Sequence, residues 1–350
     1  MPSPLTIDLA VFDPAAVSEE TKALDVVLHQ NTVKTPKWWE IGVEEFRRRR
    51  LAGETPRPAP VLLPTGEDFT IPSRECEPQF PVREFPGREM CCRLFRPQNG
   101  KAVRGVFLHI HGGGWVIGDE ISQEERLQDM ANDHGLVCIS LGYRLAPEDP
   151  YPAGVEDCYD AVEWLVLNSQ ERFQAPLVFI GGESAGAHLS MLCTLHLLNH
   201  AEDKFSSFKF KGLLLHFGCY DVSWTPSARN MDKTYPGLTL DPEMMFHFRK
   251  AFLPDASPED MRDPKISPLY ANLFPLWGKL PSALFTCGTK DCLIDDTLFM
   301  SAKWTAAGGD TVLEIVPGAQ HGYISAPRST PGSGSEQGMA AVDKFITERL

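Results

Sequence analysis

From Val103 to Gly318, six short apolar runs are joined mostly by segments whose apolar residues recur at helical spacing, a rhythm that restricts the chain to one architectural class. The runs are "GVFLHI", "LVCISLGY", "PLVFIGG", "GLLLHFG", "SALFTCG" and "TVLEIVPG". Between the first four lie "ISQEERLQDMANDHG", "GVEDCYDAVEWLVLNS" and "AGAHLSMLCTLHLLNH", each with the period of an amphipathic helix. Apolar runs without polar alternation form strands buried on both faces, and such strands need helices above and below them. The expected class is therefore α/β, with a mainly parallel central sheet wound by right-handed crossovers.

The rhythm is absent from two regions. Residues 17–52 read as two helical segments, "VSEETKALDVVLHQ" and "TPKWWEIGVEEFRRRRLAG", with Ser18 ahead of Glu20 and Thr21 starting the first and Gly53 stopping the second. The Arg47–Arg50 run reads as a solvated helix end, where cations favour the carboxyl-terminal dipole. Residues 54–81 are rich in proline and read as a connector into an edge strand near "MCCRLFRP". Residues 221–275 are turn-rich and aromatic, with one expected helix from Pro242 to Phe252. The organisation expected is a helical cap region with its connector over residues 1–85, then an α/β domain over 86–350. The insertion at about 221–275 would join the N-terminal helices in capping the carboxyl edge of the sheet, where open α/β folds bind ligands.

Charge and composition narrow the partners. A formal charge of −14 and a pI near 5.2 argue against nucleic acid or an anionic membrane as the main partner. No stretch approaches the roughly 18 apolar residues of a spanning helix. The N-terminus lacks the basic and apolar regions of a signal peptide. Nine cysteines are scattered without metal-ligand spacing, and the adjacent Cys91 and Cys92 suit neither a zinc knuckle nor a CxxC redox pair. Reduced thiols in a cytoplasmic protein are expected. Homo-oligomerisation is left open.

The third run leads into Gly182-Glu183-Ser184-Ala185-Gly186, a G-x-S-x-G between an apolar strand and a helix-period segment. A sharp strand-to-helix turn at such a motif strains its central residue and lifts the serine hydroxyl above the sheet. A phosphate loop is disfavoured, because the segment lacks the Walker lysine and the G-x-G-x-x-G order. An alcohol nucleophile needs a base, and beyond residue 247 the chain has one histidine, His321, just after the last run. The acid should follow "SALFTCG", where Asp291, Asp295 and Asp296 are available. Asp291 is nearest the strand end, whereas the other two suit the first turn of a helix. Acyl transfer also develops an oxyanion that requires N–H donors. One is the amide of Ala185; the others need a loop with no side chains in the way, as in "HGGGW" at residues 111–115.

With these residues the sequence resembles the hormone-sensitive-lipase-like family of esterases in the α/β-hydrolase fold. The resemblance is carried by His111 to Trp115, by "YRLAPE" at 143–148, by "GESAG" at 182–186, by Asp291 with Leu293 and Asp295, and by His321. It spans about residues 103–345 and implies that Gly113 and Gly114 donate to the oxyanion while "YRLAPE" is structural. The chain departs from the family at Asp291-Cys292-Leu293, where a proline often follows the acid. The implied activity is a serine carboxylic-ester hydrolase acting on small or medium acyl esters. Its triad would be Ser184, His321 and Asp291, with no metal or organic cofactor. An amidase or deacetylase, a lactonase or an acyltransferase would share the acyl-enzyme step. A non-catalytic small-molecule receptor is disfavoured because all three triad members are present. Trp115, Tyr220, Trp224 and Tyr323 are candidates to line the substrate pocket, and aromatic packing is the alternative for each. His111 is expected to be structural.

Overall fold

The computed structural model describes residues 5–55, 57–75, 84–231 and 239–350. Eight strands form one sheet: β1 (Glu67–Glu75), β2 (Glu84–Phe95), β3 (Gly105–Ile110), β4 (Leu136–Leu141), β5 (Leu177–Glu183), β6 (Gly212–His216), β7 (Ala283–Lys290) and β8 (Thr311–Gln320). Their order across the sheet is β1-β2-β4-β3-β5-β6-β7-β8. Strands β3 to β8 are parallel, while β1 and β2 run antiparallel at one side. All six runs of the sequence are these parallel strands. Every residue of β3, β4, β5 and β6 is buried, as expected for strands without polar alternation.

The N-terminal helices are α1 (Glu19–Lys34), α2 (Trp38–Ile41) and α3 (Val43–Leu51), followed by α4 (Glu124–His134), α5 (Ala153–Phe173) and α6 (Ala185–Leu198). Ser18 caps α1 by accepting from the Thr21 amide at 3.1 Å. Gly42, at φ 87°, separates α2 from α3, which the sequence pattern had suggested as one segment. Helices α5 and α6 cover one face of the sheet; α4 and the helix Ser335–Arg349 cover the other. No helix among the described residues is long and apolar enough to cross a membrane.

Two expectations are corrected here. The stretch read as a connector contains β1, so β1 is the edge strand; β2, which holds "MCCRLF", lies between β1 and β4. The part of the connector at 76–83 and the part of the insertion at 232–238 lie outside the described residues, as does Cys76. The other eight cysteines carry free thiols.

Strand order also decides where a site can form. β3 has β4 on one side and β5 on the other, so successive crossovers leave it in opposite directions. A crevice opens between the carboxyl ends of β3 and β5 at such a reversal. The glycine loop follows β3 and Ser184 follows β5.

Candidate active site

Ser184 is held at φ 56°, ψ −117°, between the last residue of β5 and the first of α6. This is left-handed backbone that a side-chain-bearing residue adopts only when its surroundings enforce it. The enforcement is visible. The Ser184 amide donates to the His216 carbonyl at 2.9 Å, and the His188 amide donates to the Ser184 carbonyl at 3.1 Å. A Cβ on Gly182 or Gly186 would collide with the carbonyl oxygen of Ile110, so only glycine lets the elbow approach β3 this closely.

His321 follows β8 and reaches Ser184 and Asp291 together. Its Nε2 lies 2.9 Å from Ser184 Oγ, and its Nδ1 lies 2.8 Å from Asp291 Oδ2. A carboxylate can only accept, so Nδ1 carries the imidazole proton and Nε2 keeps a lone pair for the serine hydroxyl. Asp291 is fully buried, and its other oxygen accepts from the Leu293 amide at 2.9 Å. Phe217 packs edge-on against the imidazole at 4.8 Å. Thr289 Oγ1 accepts from the Gly318 amide at 2.8 Å and so ties the ends of β7 and β8, from which acid and base project.

The glycine loop stands directly over the serine. A Cβ on Gly112 would lie 3.5 Å from Ser184 Cβ. Gly113, at φ 120°, leaves its carbonyl to accept from the Val116 and Ile117 amides, at 3.1 and 2.9 Å. Gly114, at φ 61°, lies under the ring of Phe248. Among the described residues no protein acceptor takes the amides of Gly113, Gly114 or Ala185. His111 is buried, stacks on Tyr143 at 4.3 Å and places Nδ1 2.8 Å from the Gly112 carbonyl; burial lowers its pKa to about 4. It holds the loop in shape.

The four aromatic pocket candidates do not converge. Trp115 is buried, stacks on Phe252 at 4.5 Å and donates to His188 Nδ1 at 3.1 Å. Tyr220 is wholly enclosed against Phe285, with its amide donating to Asp296 at 2.7 Å. Tyr323 is buried beside Phe217 in the core layer on the α4 side of the sheet. Packing accounts for these three. Trp224 is half-buried under the Arg249 guanidinium, 4.9 Å from its ring. Asp295 and Asp296 bind the insertion: Asp295 accepts from Ser227, and Asp296 from Tyr220, Asp221 and Thr225. Burial raises the Asp296 pKa to about 7.

Three features went unread in the sequence. A buried ionic network lies below the nucleophile, where Arg126 pairs with Glu183 and His109 Nε2 stands 3.2 Å from both. Charged or titratable residues inside apolar runs (His109, Glu183, His216) were its signal, since a buried polar group demands a partner. The Arg47–Arg50 run is no bare helix end. Arg47 donates to the carbonyls of Val116 and Ala146 and pairs with Glu148 at 2.9 Å, and Arg48 and Arg49 pair with Glu45. Finally, α2 and the helix Pro242–Phe252 meet over the glycine loop. Trp38 stacks on Phe248 at 5.8 Å, Trp39 on His247 at 4.3 Å, and Lys37 pairs with Asp241 at 3.1 Å.

Comparison with known proteins places this geometry. A family profile described as alpha/beta hydrolase fold matches residues 107–325. The carboxylic ester hydrolase LipN of Mycobacterium tuberculosis is 30% identical over 77% of the chain, which spans 66% of LipN, just under two thirds. Carboxylesterase NlhH of the same organism is 28% identical over 87% of the chain and 90% of its own length. A hyperthermophilic esterase from Pyrobaculum calidifontis shares the fold with a TM-score of 0.74 at 24% identity, covering 95% of this chain and 97% of that one.

Proposed function

The chain belongs to the alpha/beta hydrolase fold family, and on that premise we propose that it is a serine carboxylic-ester hydrolase acting on small-molecule esters of short or medium acyl chain. One observation carries the reading: an unbroken path of hydrogen-bond distances from Ser184 Oγ through His321 to buried Asp291. Named relatives that hydrolyse carboxylic esters support it.

In this mechanism His321 Nε2 accepts the Ser184 proton as Oγ attacks the ester carbonyl. The tetrahedral oxyanion is received by the amides of Gly113, Gly114 and Ala185, whose N–H groups have no protein acceptor to give up. Asp291 keeps the Nδ1 proton in place and stabilises the imidazolium without itself being protonated. His321 then protonates the departing alcohol and activates water to release the acid. None of these steps calls on a metal or organic cofactor. We further read the N-terminal helices and the 221–275 insertion as a cap, because α2 and the helix Pro242–Phe252 pack on the oxyanion loop.

The test is hydrolysis of p-nitrophenyl esters from acetate to palmitate by the wild type and by Ser184→Ala. The wild type should peak at the short end, with the variant inactive throughout. Equal rates for the two proteins would remove Ser184 as nucleophile; a maximum at palmitate would overturn the chain-length reading.

A further inference from the structure

Two arginines from the N-terminal segment stand beside the catalytic loop, and among the described residues no acid pairs with either. The Arg57 guanidinium lies over the backbone of Gly322, the residue that follows His321. A Cβ at position 322 would come within 3.0 Å of Arg57 Nη2, so glycine there preserves the room the guanidinium occupies. The Arg57 side chain is open to solvent, yet surrounding protein pushes its pKa down with no carboxylate opposing the shift. Arg57 therefore stands exposed at the edge of the loop that carries His321. Arg50, in the last turn of α3, is pushed down to about 10 by burial and then by the positive charge of Arg57. Its one opposing carboxylate, Asp119, stands beyond ion-pair distance and accepts from the Ser122 hydroxyl at 2.5 Å. Gln123 donates to Ser325 at 3.2 Å, which joins the Asp119 loop and the His321–Gly322 loop into one rim.

The chain has 47 acidic residues against 33 basic ones, so counter-ions are plentiful. Arg47, Arg48 and Arg49, on the same helix as Arg50, are all paired. Two neighbouring guanidinia with no acidic partner among the described residues, beside the loop that carries His321, constitute a prepared anion site, because the planar fork matches a carboxylate in two parallel hydrogen bonds. The site adjoins His321, whose imidazole must face the reacting ester. The geometry points to a carboxylate carried by the substrate itself: Arg57, backed by Arg50, receives it, and the preferred substrates are anionic esters. They are half-esters of dicarboxylic acids, or esters whose alcohol or phenol bears a carboxylate. This inference rests on the serine-esterase reading.

Two matched pairs of esters test it. Monoethyl adipate against ethyl hexanoate places the charge on the acyl side; 4-acetoxybenzoate against 4-methylphenyl acetate places it on the leaving group. The readout is the ratio of kcat/KM, anionic over neutral, within each pair. Arg57→Gln should lower that ratio about tenfold in at least one pair, the usual effect of losing a charged hydrogen-bond partner. Arg57→Lys should recover part of the loss, and Arg50→Gln should lower the ratio less. Added NaCl should lower the wild-type ratio in the same pair, which keeps the test intact if Arg57→Gln fails to fold. Ratios in both pairs that are indifferent to salt and to every variant would overturn the anion site. Ethyl hexanoate hydrolysis surviving in Ser184→Ala would instead overturn the esterase reading, so the two failures are distinguishable.

Discussion

Arg47 grips the carbonyl oxygen of Val116 with two nitrogens, Nη2 at 2.7 Å and Nε at 2.9 Å. Val116 is two residues beyond Gly114, so an N-terminal helix holds the loop proposed to bind the oxyanion. The same guanidinium reaches the Ala146 carbonyl at 3.0 Å and thereby joins the glycine loop to "YRLAPE". One side chain fastens α3 to two loops near the site.

Arg47→Met should therefore loosen both the fold and the site. Charged hydrogen bonds contribute roughly 1.5–3 kcal/mol each, less where solvent screens them, so a net loss of about 2 kcal/mol is expected. Urea unfolding measures that loss. Limited proteolysis of the first 50 residues should accelerate, and kcat should fall with the loosened loop. Unchanged proteolysis would show that α3 is held by packing alone.

The triad variants should separate by role. Ser184→Ala and His321→Ala should each lower kcat on p-nitrophenyl acetate by about 10⁴-fold or more, with residual rate from oxyanion binding. Asp291→Asn should cost a similar factor for a different reason, because an amide lets the imidazole take the wrong tautomer. An Asn variant retaining most of its activity would assign the orienting role elsewhere.

Gly113→Ala tests the oxyanion loop without touching the triad. A Cβ there would strike the Ile117 carbonyl, and φ 120° is a conformation that L residues rarely adopt. The displaced amide should cost about 10²–10³ in kcat, the usual effect of losing one donor. Full activity in a folded variant would remove Gly113 from the donor set.

Stability should fall with acid. Burial holds His111 and His188 at pKa values of about 4 and His109 and His216 well below their ordinary value. The unfolded chain takes up these protons near pH 6.5, whereas the folded state resists them until about 4 or lower. Between those limits the unfolded state binds more protons, so stability declines as pH drops. The loss from pH 7 to 5 is about 2 kcal/mol per such histidine. Thermal unfolding at pH 7.5 and 5 measures this: Tm should drop clearly, and a flat profile would contradict the buried neutral assignments.

Much of the site was legible because its signals are local. A glycine on either side of Ser184, a strand before it and a helix after it are all contained in "PLVFIGGESAGAHLS". Asp291 and His321 could be named because each follows a recognisable apolar run, and parallel strands deliver their carboxyl ends to one edge. The helix Pro242–Phe252 was expected at those residues and forms there; the structure adds Asp241 as its cap, with Pro242 in the first turn. Strand β1 was missed because its charged residues and Pro72 obscure the alternation, and its inward positions, Phe69, Ile71 and Ser73, include only two apolar side chains.

What the sequence determined by itself was the kind of each element in the parallel core and the order in which the proposed nucleophile, acid and base occur along it. Backbone periodicity, turn chemistry and burial on both faces are properties of a few adjacent residues, so a short window contains them. Tertiary structure alone decided which partner each side chain meets. Trp115, Tyr220 and Tyr323 share an aromatic type with pocket walls but are buried in packed surroundings. Arg47, Arg48 and Arg50 are neighbours of one type on one helix; one grips a loop 69 residues away, one pairs on its own helix, and one stands beside Arg57 with no ion pair among the described residues. Helix geometry aims those side chains in different directions, and what lies there is supplied by chain far away in sequence.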